Sequence, residues 1–209
     1  MRLIRAFIIA WGATLLFTGT PSQAQNTDYG GADAGVLAYS AGSVAIPMNF
    51  TFRYRGLTLS PGSNRIWTGT IGCGCVGVFG ARTDFDYTGR ENGKVMARRL
   101  PPGDYKIYDF GFGGTIGNTI TNYSTGQPYA IRFTIRPGET TYIGNFARAP
   151  SLGTSLEPRL GAKGYFIVSD QGDRDLPILI RKFTTMPPAI RAVVDVSGLG
   201  HPGLRSSAP

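Results

Sequence analysis

Histidine is almost missing from this chain: His201 is the only one in 209 residues. That excludes a zinc site built on several imidazoles. It also leaves a Ser-His-Asp or Cys-His relay with one possible base, in a Ser-Gly-Leu-Gly-His-Pro-Gly segment expected to be a disordered tail. No Gly-x-Ser-x-Gly elbow occurs. Cysteine is nearly as scarce, with Cys73 and Cys75 alone. Lysine is rare beside arginine, and acidic residues are few, 13 against 21 basic ones, for a formal charge of +8. The basic residues are scattered rather than run together, which argues against a nucleic-acid arm. Strong helix formers are few, whereas 30 glycines and 14 prolines favour short strands and many turns.

The one long apolar stretch stands at the start. Arg2 and Arg5 precede Ala6 to Phe17, Pro21 follows, and Ser22-Gln23-Ala24 places small residues at the two positions a signal peptidase reads. The stretch is too short to span a bilayer as a helix. Residues 1–24 are therefore expected to be a cleavable bacterial signal peptide, with no transmembrane helix after cleavage and a periplasmic or secreted product. No cysteine follows to carry a lipid anchor. Export also removes chromosomal nucleic acid as a partner.

Residues 25–43 are small and polar and are expected to be a flexible segment. A sandwich domain is expected over 44–196. In its first strand Val44, Ile46, Met48, Phe50, Phe52 and Tyr54 alternate with outward Arg53 and Arg55, and Pro47 suggests an edge or a bulge. Further strands are expected at Arg65–Ile71, Val76–Phe79, Lys94–Leu100 and Asp104–Phe112. Tyr129 to Arg136 and Thr140 to Ala147 flank Pro137-Gly138 and suggest a hairpin. Gly164–Ser169 follows. Leu176, Leu179, Ile180 and Phe183 fall on one face of a single helix that Asp173 could cap. Gly113–Gln127 and Arg148–Lys163 read as long loops, and 197–209 as a disordered tail. This is the pattern of an all-β, antiparallel β-sandwich with one short helix near the C-terminus.

The chemical signals are sparse. Cys73-Gly74-Cys75 is a disulfide candidate in an oxidising compartment, free or partner-linked thiols being the alternative. Gly72 to Gly77 matches Gly-x-Gly-x-x-Gly, but no helix pattern follows, so it is no dinucleotide fingerprint. Asp84/Asp86 and Asp170/Asp173/Asp175 are the carboxylate clusters, for which turn and cap duty is the simpler account. No metal site, cofactor or catalytic residue is expected. Arg53, Arg55, Arg132 and Arg136 are expected to face outward and, if their strands neighbour one another, to form a cationic, Thr-lined surface. Tyr123 and Tyr129 could add stacking contacts for sugars.

Leu100-Pro101-Pro102-Gly103-Asp104-Tyr105 resembles the Leu-Pro-x-Gly-x-Tyr step of transthyretin-like (prealbumin-like) sandwich modules in bacterial envelope proteins. Pro137-Gly138-Glu139-Thr140-Thr141-Tyr142-Ile143-Gly144 looks like a second such step, and Val168-Ser169-Asp170 with Arg174-Asp175-Leu176 fits the same plan. The resemblance spans about Arg98 to Phe183. It implies a sandwich used for binding or structure, with the step's tyrosine in the core, and carries no catalytic residue over. The expectation is an exported, non-enzymatic protein that binds an envelope glycan, lipid head groups or a partner protein. A small outer-membrane β-barrel and a hydrolase with a carboxylate site are the alternatives.

Overall fold

The computed structural model describes residues 28–44, 49–73, 83–87, 91–116, 119–124, 128–150 and 164–207. Twelve strands and one α-helix follow in chain order: β1 (Gly35–Val44), β2 (Asn49–Leu59), β3 (Ile66–Cys73), β4 (Phe85–Tyr87), β5 (Glu91–Leu100), β6 (Gly103–Ile116), β7 (Thr119–Ser124), β8 (Ile131–Ile135), β9 (Thr140–Pro150), β10 (Gly164–Ser169), α1 (Gly172–Lys182), β11 (Ala189–Arg191) and β12 (Leu204–Ser206). They form two sheets. The first runs β12-β10-β9-β1-β5-β4, with β11 also on β9; the second runs β3-β2-β6-β7, with β8 also on β6.

Alternation explains the second sheet. Phe50, Phe52 and Tyr54 of β2 are buried while Thr51, Arg53 and Arg55 are exposed, and β8 repeats this with Ile131, Phe133 and Ile135 inside. Opposite them, Leu37, Tyr39, Phe146 and Phe166 of the first sheet complete one core. The outer face of the first sheet is apolar too, and α1 covers it: Leu179 packs against Ala38, Val95, Tyr142 and Phe85. The result is an all-β sandwich with one helix laid on its back. The described strands belong to two open sheets and close no barrel, against the barrel alternative.

Several expectations are corrected. The 25–43 segment contains β1, a buried central strand between β5 and β9. The 197–209 tail contains β12, which pairs with β10. The first sheet is mixed, because β1, β11 and β12 each make a parallel pairing; the second is antiparallel throughout. Strand β2 lies between β3 and β6 rather than at an edge, and Pro47 lies outside the described residues. Pro137-Gly138 does not close a hairpin: it carries the chain from β8 in one sheet to β9 in the other. Most of Gly113–Gln127, expected to be a loop, pairs β6 with β7. Arg148–Pro150, expected to begin a loop, ends β9, and Val76–Phe79 lies outside the described residues.

Pro101-Pro102-Gly103 likewise passes the chain between sheets, from β5 to β6. Gly103, at φ 146, takes a conformation a side chain would strain. Tyr105 is buried just beyond it, and its hydroxyl donates to the Pro101 carbonyl at 2.6 Å. That bond ties the crossover to the strand it starts.

Candidate functional site

Two polar assemblies stand out, one exposed on the second sheet and one buried beneath the helix. The exposed one is built by register. Arg55 pairs with Lys106 of β6, and Lys106 pairs with Arg132 of β8, so three cations lie in one row across three strands. At about 4.8 Å between strands the row spans about 10 Å. A register shift between Arg53 and Tyr54 makes Tyr108 the extra residue of β6, so Asp109 still meets Arg53 while Lys106 meets Arg55. The Arg55 guanidinium lies 5.2 Å from the Tyr108 ring centroid.

The other charges of this face are engaged. Arg53 pairs with Asp109 at 3.1 Å, and Asp104 accepts from Thr134 at 2.6 Å. Arg136 lies one residue beyond β8 and pairs with Glu139 at 3.7 Å, so it stands outside the row. Among the described residues Arg55, Lys106 and Arg132 make no ion pair. Lys106 escaped the sequence reading; its place opposite two arginines depends on register, not on any local signal.

The buried assembly explains how α1 is held. Asp175 is fully buried, and its Oδ2 accepts from Ser40 of β1 and Tyr142 of β9, each at 2.5 Å. Its Oδ1 accepts from Arg174 Nε at 2.7 Å. Arg174 also donates to Ser40 Oγ at 3.1 Å, meets Glu91 of β5 at 3.5 Å, and lies over the Phe85 ring. Asn145 donates to the other Glu91 oxygen at 3.0 Å. A bulge at Gly144, where φ is 112, puts both Tyr142 and Asn145 on this side of β9 while Ile143 stays in the core. Burial raises the pKa of Glu91 against the opposing pull of Arg174, and burial followed by Asp175 raises that of Tyr142.

The remaining acids have local duties. Asp84 accepts from the Val95 amide and pairs with Lys182, fastening the far end of α1 to β5. Asp86 is exposed. Asp170 accepts from the Gly172 amide at the helix start and shares Arg191 with Asp173. Asp173 makes no side-chain cap, since Gln171 occupies that position without one. Asp84, Asp170 and Asp173 are thus each engaged with a cation. Among the described residues no group of three or more His, Cys, Asp or Glu side chains is placed to hold a metal ion.

His201 is not on a disordered tail. It is buried beside Phe110 and Tyr129, and its Nδ1 accepts from the Gly203 amide at 3.0 Å. Tyr129 is half-buried, with its hydroxyl inside and its ring against Phe110 and His201. Tyr123 sits on β7 opposite Phe112. Cys73 is disulfide-bonded; Cys75, the other cysteine of the chain, lies outside the described residues.

Burial lowers the pKa of His201 below its ordinary 6.5. The folded state keeps the ring neutral while the unfolded chain takes up a proton, so this contribution to stability is present above 6.5 and is lost as pH falls through the folded-state pKa. The melting temperature is expected to fall between pH 7.5 and 5.5. A His201→Gln variant should lack that part of the slope; an identical slope in both proteins would refute it.

No protein-family model and no curated protein matches the chain. Among solved structures, a leucine-rich repeat protein from Bacteroides thetaiotaomicron VPI-5482 is similar over 55% of this chain, at 13% identity and a TM-score of 0.31. The match spans 14% of that protein, and a likeness this slight carries no argument. No helix among the described residues is long and apolar enough to cross a membrane.

Proposed function

We propose that the protein is an exported, non-enzymatic envelope protein whose second sheet binds an anionic envelope component through its outer face. The observation that carries this reading is the aligned row Arg55, Lys106 and Arg132, three cations without acidic partners among the described residues. Like charges set side by side on neighbouring strands repel one another. Fold stability gains nothing from such a row, whereas a polyanion or anionic surface would relieve the repulsion. Periplasmic or secreted placement rests on the Arg2 to Ala24 pattern. The transthyretin-like assignment belongs to the same proposal, supported by the buried Tyr105 after the Leu-Pro-Pro-Gly step. Engagement of the carboxylates in fastening α1 and its neighbouring turns supports a role without catalysis.

Co-sedimentation of Gln25–Pro209 with isolated envelope fractions tests the reading. Binding is expected at low salt and is expected to be lost at high salt. The Arg55→Ser, Lys106→Ser, Arg132→Ser triple variant should lose binding with its melting temperature nearly unchanged, because Arg55 and Arg132 are exposed and the half-buried Lys106 makes no ion pair among the described residues. Full retention of binding by that variant would overturn the reading.

A further inference from the structure

The β2–β3 hairpin ends beside the cationic row, and its end is apolar. Leu59 and Ile66 are cross-strand partners there, 58% and 46% exposed. They are two of the four large hydrophobic side chains exposed among the described residues. The other two, Ile180 and Ile190, lie on α1 and β11 and belong to the opposite layer of the molecule. The turn between Leu59 and Ile66 is Ser60-Pro61-Gly62-Ser63-Asn64-Arg65, with Gly62 at φ 68 and Arg65 exposed. It is closed by the Ser60 amide donating to the Arg65 carbonyl at 3.0 Å. Arg55 pairs with Thr68 and Leu59 with Ile66, two residues apart on β3, so the apolar pair lies about 7 Å along the hairpin from the Arg55 pair at ordinary strand rise.

Resting on the reading of this face as an anion-binding surface, we propose that its ligand is an anionic lipid bilayer. Leu59 and Ile66 enter the interface, while Arg65, Arg55, Lys106 and Arg132 meet the head groups. A soluble polyanion would use the row and leave the apolar pair in water. A bilayer uses both, because surface association adds apolar burial to attraction between basic side chains and acidic lipid. The paired charges, Arg53 with Asp109 and Arg136 with Glu139, are neutral on balance and do not oppose it. Among the described residues, the Asp104 carboxylate, held by Thr134, is the one acidic group of the face not paired with a cation.

The test is flotation of Gln25–Pro209, which contains every described element, with vesicles of phosphatidylglycerol and phosphatidylcholine or of phosphatidylcholine alone. Binding is expected to the mixed vesicles and not to the neutral ones. Removing three basic groups at about 1 kcal/mol each predicts roughly 100-fold weaker partitioning for the Arg55→Ser, Lys106→Ser, Arg132→Ser variant. The Leu59→Ser, Ile66→Ser variant keeps the charge, and at least roughly tenfold weaker partitioning is expected from the lost apolar burial. Equal binding by that variant, or equal binding to both kinds of vesicle, overturns the proposal. Salt-sensitive binding to envelope fractions without binding to the mixed vesicles overturns it too, while the anion-binding reading stands with a glycan as ligand. Binding to neither overturns both.

Discussion

Replacing Asp175 with alanine is expected to destabilise the protein by about 3–5 kcal/mol, the cost of removing one partner from a buried charged pair. The residue is fully buried, and its carboxylate is shared by Ser40, Tyr142 and Arg174. The substitution takes away the acceptor of the buried Tyr142 hydroxyl, leaves Ser40 with Asn145 Oδ1 at 2.7 Å, and leaves Arg174 with Glu91, at 3.5 Å, as its remaining carboxylate. Since stabilities of ordinary domains are about 5–15 kcal/mol, such a loss takes a large share. Asp173→Ala is the control: its side chain is 97% exposed and pairs only with a half-exposed Arg191. That change should stay within about 0.5 kcal/mol. Urea unfolding midpoints decide between them. A midpoint for Asp175→Ala equal to that of Asp173→Ala would show that this network does not fasten α1.

Phe52→Ala is expected to cost about 3–5 kcal/mol through the cavity it leaves. Phe52 has no solvent exposure, and its ring centroid lies 4.4 Å from Phe166, 5.0 Å from Phe146 and 5.5 Å from Phe110. Phe146 and Phe166 belong to the first sheet and Phe110 to the second, so one side chain joins the two layers. Tilted and edge-on ring pairs add to the simple burial. Phe52→Leu keeps most of the volume and should recover more than half of the loss. Thermal or urea unfolding measures both. An alanine variant as stable as the leucine variant would mean that the core collapses into the space.

Strands whose two faces differ are legible in the residues alone. In β2 and β8 one face meets the core and the other meets water, so period two is written in the residues: Phe50, Phe52 and Tyr54 against Thr51, Arg53 and Arg55, and Ile131, Phe133 and Ile135 against Arg132 and Thr134. The helix was legible for the same reason, since only one of its faces is buried. Strand β1 reads Gly-Val-Leu-Ala-Tyr-Ser-Ala-Gly-Ser-Val and shows no such alternation. It is covered on one side by the second sheet and on the other by α1, so both faces are selected for close packing. Its small polar residues resemble a linker until the neighbours are present. The C-terminal segment is illegible for a similar reason: His201 and Leu204 have no pattern of their own and are buried only where β10 and Phe110 receive them.

Which sheet each strand joins, and which side chains act together, depends on contacts between distant parts of the chain. The Pro-Gly steps at 101–103 and 137–138 announce turns, but a turn residue sets local backbone direction and not the identity of the next pairing partner. Ser40 and Asp175 are 135 positions apart, and Arg55, Lys106 and Arg132 come from three separate strands. Alternation told which way Arg55 and Arg132 point. The register that sets Lys106 between them is a property of three strands hydrogen-bonded together, and no local stretch of the chain contains it.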